Sequence, residues 1–230
     1  MTTWIILMVI AYLLGSVPAS FLVGRSRGID LRHQGSRQVG GGNLWRTTSR
    51  RLGLTVGVFD FFKGMLMVLI AGKLGLDAAQ QLAVGLAAIV GHNWPVFLRF
   101  HGGRGIATLL GIAIILPFIN DISPWPTALA VGIVVALTVI LRSSPLPVLF
   151  GVVSLPLTSW LFGGELTFVM TYVATFLVVV IKRLTAQPAI DTLEIGMGRL
   201  LLNRLLYDRD IGDRKAWVHR KHLPKKARMG

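Results

Sequence analysis

The sequence predicts an all-α protein that crosses a membrane about seven times, and two observations support this prediction. Of its 230 residues, 53% are hydrophobic and only 15% are charged, whereas a soluble domain of this length needs more charge to cover its surface. The apolar residues also occur in blocks that approach the ~20 residues a helix needs to cross a hydrocarbon core of roughly 30 Å. The sequence therefore predicts a bundle of membrane-spanning helices.

Seven apolar segments are the candidate spans. Several are shorter than a full span, so we expect tilted or broken helices, and five spans remain an alternative if two segments are re-entrant or peripheral. The segments are residues 4–23, 54–71, 78–90, 106–119, 124–141, 147–162 and 166–181.

The charges in the connectors predict the orientation of the chain. The connector after the first segment carries seven arginines against one acidic residue, Asp30, and every second connector after it is also basic. The connectors between these contain Asp77, Asp121 and Glu165 and only one basic residue, Lys73. Because basic residues accumulate in cytoplasmic loops, the N-terminus is predicted outside and the C-terminus inside. The net charge of +14 then reflects topology and attraction to anionic membrane lipids, and nucleic-acid binding is not expected.

The chain divides into a transmembrane domain, residues 1–183, and a basic cytoplasmic tail, residues 184–230. Within the tail, four leucines recur at helical spacing opposite polar residues, which predicts an amphipathic helix lying in the membrane interface. The tail either serves topology alone or has a specific role. The leucines are Leu201, Leu202, Leu205 and Leu206, and the polar residues are Arg199, Asn203, Arg204 and Asp208.

The first connector, residues 28–46, is rich in glycine and arginine. Glycines such as Gly40 let backbone N–H groups approach a phosphate closely. Ser36 and Asn43 add neutral donors, and the guanidinium of Arg46 can bind two phosphate oxygens at once. The alternative is a flexible loop whose arginines only set the topology.

The second glycine-rich loop contains Gly102, Gly103 and Arg104 directly before an apolar segment. Free N–H groups at a helix start, together with the helix dipole, favour an anion there. The loop lacks the Gly-Lys-Ser/Thr ending of a P-loop, so nucleotide hydrolysis is not expected. His92, just upstream, is either an acid/base group or a hydrogen-bonded structural histidine.

Asp60 and Lys63 lie three residues apart within the second apolar segment. Ionisable groups at membrane depth are costly unless they are paired or functional. They are therefore either a neutralising ion pair or a further part of a substrate site. Neither a Ser/His/Asp arrangement nor a metal-ligand spacing occurs, and the chain has no cysteine, so we expect neither a covalent nucleophile nor a metal.

These motifs resemble those of the acyl-phosphate-dependent (PlsY-type) glycerol-3-phosphate acyltransferases of bacterial inner membranes. The resemblance covers roughly the first 110 residues and is carried by Gly15-Ser16-Val17-Pro18, Gly28-Ile29-Asp30, Asp60-Phe61-Phe62-Lys63-Gly64, Gly91-His92, Trp94-Pro95-Val96-Phe97-Leu98 and Gly102-Gly103-Arg104-Gly105-Ile106-Ala107-Thr108. It implies a seven-span fold with its active site facing the cytoplasm and no cofactor. It also implies transfer of an acyl group from acyl phosphate to the 1-hydroxyl of glycerol 3-phosphate, which yields lysophosphatidate.

The sequence departs from the family pattern at four places. The family's first motif, Ser-Gly-Asn-Ile-Gly-Ala-Thr-Asn, reads Ser36-Arg37-Gln38-Val39-Gly40-Gly41-Gly42-Asn43 here. The serine that the family has before its sixth span is displaced, with Ser143 and Ser144 nearby and Pro145 at its place. Arg104 stands where the family has Lys, and the family's third motif, His-x-x-Asn-Ile-x-Arg-Leu, has Leu177 and Val180 at its His and Asn positions. Two alternatives to an active enzyme therefore stay open, namely a catalytically silent lipid- or phosphate-binding scaffold and a transporter. A cytoplasmic donor such as Lys182 in the pocket of Ser36 would favour the enzyme, and an apolar pocket sealed by Leu177 and Val180 would favour the scaffold.

The site prediction accordingly has three parts. Ser36 and His92 are the predicted catalytic residues. The predicted phosphate-binding residues are Gly40, Asn43, Arg46, Gly102, Gly103 and Arg104, and Asp60, Lys63 and Lys182 are further candidates.

Overall fold

The computed structural model describes residues 2–185 and 195–219, and within these ranges the regular structure is helical. Within the described residues eleven α helices follow one another, with a short 3-10 helix at Val96–Leu98 between the fifth and sixth. The helices are α1 Thr2–Gly15, α2 Ala19–Ser26, α3 Gly41–Thr47, α4 Arg50–Lys73, α5 Ala78–Asn93, α6 Ile106–Asn120, α7 Trp125–Leu141, α8 Pro145–Leu161, α9 Leu166–Leu184, α10 Met197–Tyr207 and α11 Arg214–His219.

Each of the seven predicted apolar segments is helical in the structure. The first is broken into α1 and α2 at Pro18, because proline has no N–H to continue a helical hydrogen-bond ladder. In the part of the chain that the structure describes, four stretches are long and apolar enough to cross a membrane, while α6, α7 and α8 are shorter apolar helices. The four stretches are Thr2–Ser26, Arg50–Lys73, Ala78–Leu98 and Leu166–Leu184. The chain is therefore a helical, multi-pass membrane protein.

Helix α5 lies at the centre of the bundle, where it packs against α1, α4, α6 and α9. Glycines allow the closest approaches: a Cβ on Gly15 of α1 would lie 2.2 Å from the carbonyl oxygen of Ala88 in α5. Small residues at such crossings let helix backbones touch, which is how helices associate where lipid removes the hydrophobic driving force. This close packing fixes the loops that follow α5 relative to those that follow α2.

The tail is folded onto the bundle as far as it is described. Helix α10 packs against α8 and α9, and Arg204 is buried between them, donating to the Leu184 carbonyl at 2.8 Å and to Asp210 at 2.6 Å. Arg183 of α9 donates in return to the Leu205 carbonyl at 2.7 Å. The predicted tail helix is thus present. Of the predicted basic tail, residues 186–194 and 220–230 lie outside the described residues.

Candidate active site

A cavity of about 470 Å³ opens where the connectors following α2, α5, α7 and α10 meet. Ligand sites for small molecules commonly measure roughly 300–1,000 Å³. Four of its lining residues are arginines and one is a carboxylate, so the cavity is suited to anions. The lining residues are Ser36, Gln38, Gly40, Gly42, Asn43, Arg46, Gly103, Arg104, Thr138, Arg142, Ser143, Ser144, Pro145, Tyr207, Asp208, Arg209 and Trp217.

The first glycine-rich loop supplies one wall of this cavity. The guanidinium of Arg46 donates to the Ser36 hydroxyl at 3.2 Å, and Ser36 is almost entirely buried. Gly40 is extended at the start of α3 and has open space around it. Ser36, Gly40 and Arg46 are therefore brought together as predicted, with a hydroxyl and a guanidinium side by side.

Asn43 lines the same cavity, but its amide group is engaged within the loop. Its Nδ2 donates to the carbonyls of Gln34 and Leu31 at 2.9 and 3.2 Å, and its Oδ1 accepts from the Ser36 N–H at 3.0 Å. A buried amide that makes three such bonds fixes the backbone around it. Asn43 thus holds the backbone of Ser36 in position.

The second glycine-rich loop differs from the prediction of a free N–H cradle. The Gly102 N–H donates to the Asn93 carbonyl at 3.2 Å, and the Gly103 N–H donates to the His92 carbonyl at 3.0 Å. Gly103 lines the cavity, whereas Gly102 lies behind it, with His92 and Asp60, around a separate small cavity. The loop therefore contributes a close-packed backbone and the side chain of Arg104.

Arg104 is held at two sides of its guanidinium. Its Nε donates to Asp208 Oδ2 at 3.0 Å and its Nη2 lies 2.8 Å from Oδ1 of the same carboxylate. Its Nη1 donates to the Lys182 carbonyl at 2.7 Å. Asp208 follows α10, so the tail directly contacts the loop that is predicted to bind phosphate.

Asp60, Lys63 and His92 form a buried cluster outside the main cavity. Lys63 Nζ lies 2.8 Å from Asp60 Oδ1 and 2.9 Å from His92 Nδ1, and it donates to the Gly15 carbonyl at 3.0 Å. A Cβ on Gly103 would lie 2.1 Å from His92 Nε2, so the histidine stands directly behind this glycine. The predicted pair Ser36 and His92 consequently faces two different cavities.

Lys182 and Leu177, which the sequence also singled out, do not line the main cavity. Lys182 is buried, and its Nζ donates to the Asn93 carbonyl and lies 5.1 Å from the centre of the Trp94 ring, so its side chain points away from the main cavity. Leu177 is 49% exposed, so it does not seal an apolar pocket. No group of three metal-ligating side chains occurs within 2–185 and 195–219.

Sequence reasoning did not assign Arg142, Tyr207, Arg209 and Trp217 to the site, although all four line the cavity. It named Ser143 and Ser144, which also line the cavity, only as neighbours of a displaced family serine. Arg142 and Ser143 stand just before α8, and a basic, hydroxyl-bearing connector between two apolar helices was the one available signal. The tail residues gave no local signal, because their position depends on how α10 packs.

Fold and cavity together define a polytopic helical membrane protein with an arginine-lined pocket at one end of its bundle. Residues 5–189 match the family model described as "Glycerol-3-phosphate acyltransferase", and the chain belongs to that family, as the sequence motifs predicted.

Known proteins of this family resemble the chain along most of its length. It is 40% identical over 228 residues to "Glycerol-3-phosphate acyltransferase 5" of Dehalococcoides mccartyi, covering 96% of this chain and 95% of the relative. Its fold is similar to the crystal structure of PlsY (YgiH), "an integral membrane glycerol 3-phosphate acyltransferase", in the glycerol 3-phosphate form, with a TM-score of 0.71, 28% identity, and coverage of 79% of this chain and 88% of that one. The lysophosphatidic acid form of PlsY gives a TM-score of 0.70 at 25% identity, covering 90% and 98%.

Proposed function

We propose that this protein transfers a fatty acyl group from acyl phosphate to glycerol 3-phosphate at the cytoplasmic face of a bacterial inner membrane. Membership of the family makes it a membrane acyltransferase of phospholipid synthesis. The observation that carries the proposal for this chain is the convergence of Ser36, Arg46 and Arg104 on one cavity. Both proposed substrates carry phosphate, and guanidinium groups bind phosphate oxygens in pairs.

The proposed reaction needs no nucleophile from the protein. The 1-hydroxyl oxygen of glycerol 3-phosphate attacks the acyl carbonyl carbon, the bond from that carbon to the phosphate oxygen breaks, and inorganic phosphate leaves with the hydroxyl proton. Acyl phosphate is already activated, so orientation and neutralisation of charge supply the catalysis. In this proposal Arg46 and Arg104 bind phosphate, and the Ser36 hydroxyl, fixed by Arg46, hydrogen-bonds to the reacting groups.

The buried cluster of Asp60, Lys63 and His92 has a supporting role in this proposal. The His92 carbonyl accepts from Gly103, and the imidazole is fixed by Lys63 at 2.9 Å. Because Gly103 lies between this ring and the cavity, we assign His92 to holding the loop that carries Arg104. Asp60 neutralises Lys63 within the helices, as buried charges require.

The alternative of a silent scaffold depended on the eroded third motif. Arg142 and Arg209 line the cavity with Ser36 and Arg104, while Leu177 is half-exposed outside it. Polar groups from other segments thus surround the place where the substrates would meet, and this favours the enzyme.

Purified protein, supplied with acyl phosphate and glycerol 3-phosphate, tests the proposal through formation of lysophosphatidate and release of phosphate. Arg46→Ala should raise KM for the phosphorylated substrates by about tenfold or more, since a hydrogen bond to a charged group contributes ~1.5–3 kcal/mol. Arg99→Ala is the matched control, because Arg99 is exposed and lies outside the cavity lining. Wild-type protein that binds glycerol 3-phosphate without any acyl transfer would favour the alternative of a catalytically silent scaffold.

The proposed topology has seven spans, the N-terminus outside and the cavity in the cytoplasm, as the charges of the connectors predict. The chain has no native cysteine, so single-cysteine variants report sidedness directly. Arg27→Cys, at an exposed position after α2, should be labelled only from the cytoplasm, and Glu165→Cys, exposed before α9, only from outside. Labelling of both from one side would refute this arrangement.

A further inference from the structure

The tail places a carboxylate against the predicted phosphate-binding arginine. Asp208 meets the Nε and Nη2 edge of Arg104 with both of its oxygens, at 3.0 and 2.8 Å, and the Lys182 carbonyl accepts from Nη1 at 2.7 Å. A guanidinium has five N–H donors in one plane. Two of these contacts are hydrogen bonds and the third is an ion pair through Nη2, so at least two N–H groups remain for a ligand while the plane of the group is fixed.

Asp208 is itself held in place by buried contacts. It follows α10 with a left-handed backbone, φ 55°, and its carbonyl accepts from Gln38 of the first loop at 3.2 Å. Two residues further on, Asp210 is fully buried against Arg204. Moving Asp208 away from Arg104 would disturb these contacts too. The carboxylate is therefore a fixed part of the cavity wall.

We propose that Asp208 is a positioning residue for acyl transfer, which fixes the guanidinium of Arg104 so that its remaining N–H groups face the substrate phosphate. The inference rests on the proposed function and deepens it. The family model ends at residue 189, so this role belongs to a segment beyond the stretch that the model matches.

The presence of arginine at position 104 fits this role. A lysine ammonium is a compact charge on a flexible stem, which one carboxylate cannot hold in a plane. An arginine can be held along one edge while it donates from another.

A kinetic comparison of four variants tests the proposal. Asp208→Asn keeps the size of the side chain and removes its charge. We expect KM and Kd for glycerol 3-phosphate, the latter from calorimetry, to rise by roughly tenfold, the loss of one charge-assisted contact, with a smaller change in kcat. Asp213→Asn is the control, because Asp213 is exposed, lies outside the cavity lining and accepts from the backbone N–H groups of Lys215 and Ala216.

A double-mutant cycle separates positioning from general damage. Arg104→Lys should raise KM as well, and Asp208→Asn added to Arg104→Lys should change it little further, because the two substitutions remove one shared interaction. Additive effects would overturn the proposal, and so would an unchanged KM in Asp208→Asn. A lowered KM would overturn it in another way, by showing that the carboxylate competes with phosphate for Arg104.

The same measurements separate this proposal from the proposed function. A wild type that binds glycerol 3-phosphate without transfer refutes the function, while Kd still tests Asp208. A wild type that neither binds nor transfers refutes both. An active wild type whose Asp208→Asn variant has normal KM and Kd refutes only the role of Asp208.

Discussion

Gly103→Ala is the substitution for which the structure makes the sharpest prediction. The added Cβ would lie 2.1 Å from His92 Nε2 and 2.7 Å from the Val39 carbonyl oxygen, and both distances are far below van der Waals contact. The imidazole cannot simply rotate away, because its other ring nitrogen lies 2.9 Å from the buried Lys63 ammonium. The loop itself must therefore move, and Arg104 with it.

The cost of this movement can be estimated from similar cases of overpacking. Added methyl groups in a close-packed interior destabilise by about 1–3 kcal/mol, and the same strain at the cavity wall should raise KM for glycerol 3-phosphate by roughly five- to 100-fold at ~1.4 kcal/mol per factor of ten. We expect both a lower thermal unfolding midpoint in detergent and a higher KM.

Gly132→Ala is the matched control for this substitution. A Cβ there meets nothing within 4 Å, and Gly132 lies within α7, away from the cavity lining. This variant should keep wild-type KM. Gly103→Ala with the unfolding midpoint and KM of the wild type would refute the claim that His92 and Val39 press against this glycine.

Two further predictions concern charges outside the cavity. Lys63→Met should destabilise strongly, by about 3–5 kcal/mol, because it leaves the Asp60 carboxylate buried without its ion pair, whereas Asp60→Asn combined with Lys63→Met should be milder; equal unfolding midpoints for the single and double variants would contradict this. The side-chain hydrogen bond from Arg32 lowers the pKa of Asp30 to about 2 from its ordinary 3.8, so its contribution to stability is present above pH 4 and is lost as the pH falls towards 2. Asp30→Asn should therefore unfold more readily than wild type at neutral pH, and the difference should shrink on acidification, as measured by thermal unfolding.

The helices were predictable because their cause is local. Each apolar segment found in the sequence is helical in the structure, since a backbone in hydrocarbon must satisfy its own hydrogen bonds. The break at Pro18 follows from the missing N–H of proline. The convergence of Ser36, Arg46 and Arg104 was also predictable, because alternate connectors of a membrane bundle meet at the same end.

The hydrogen-bond partners within the loops were not predictable. The glycines at 102 and 103 indicated free N–H groups, but those groups bond to the carbonyls of Asn93 and His92. Asn43 indicated a ligand donor, but it bonds to the backbone of its own loop. A loop that packs closely must satisfy its own polar groups first, and the sequence does not say which partners it will find.

The orientation of the tail helix α10 was not predictable from the sequence either. Its two faces were visible in the sequence, yet the pattern alone does not say which face contacts the protein. In a soluble protein the apolar face would turn inward. Here Asn203 and Arg204 are buried while Leu202 is 54% exposed, although Leu200 is buried as well and Arg199 is exposed. The side of α10 that turns inward is therefore the polar side formed by Asn203 and Arg204 together with Leu200. Because this polar face turns inward, Asp208 reaches Arg104, a contact between residues separated by 104 positions. The contribution of the tail to the site thus depends on which side of α10 contacts the protein, and the amphipathic pattern alone does not give this.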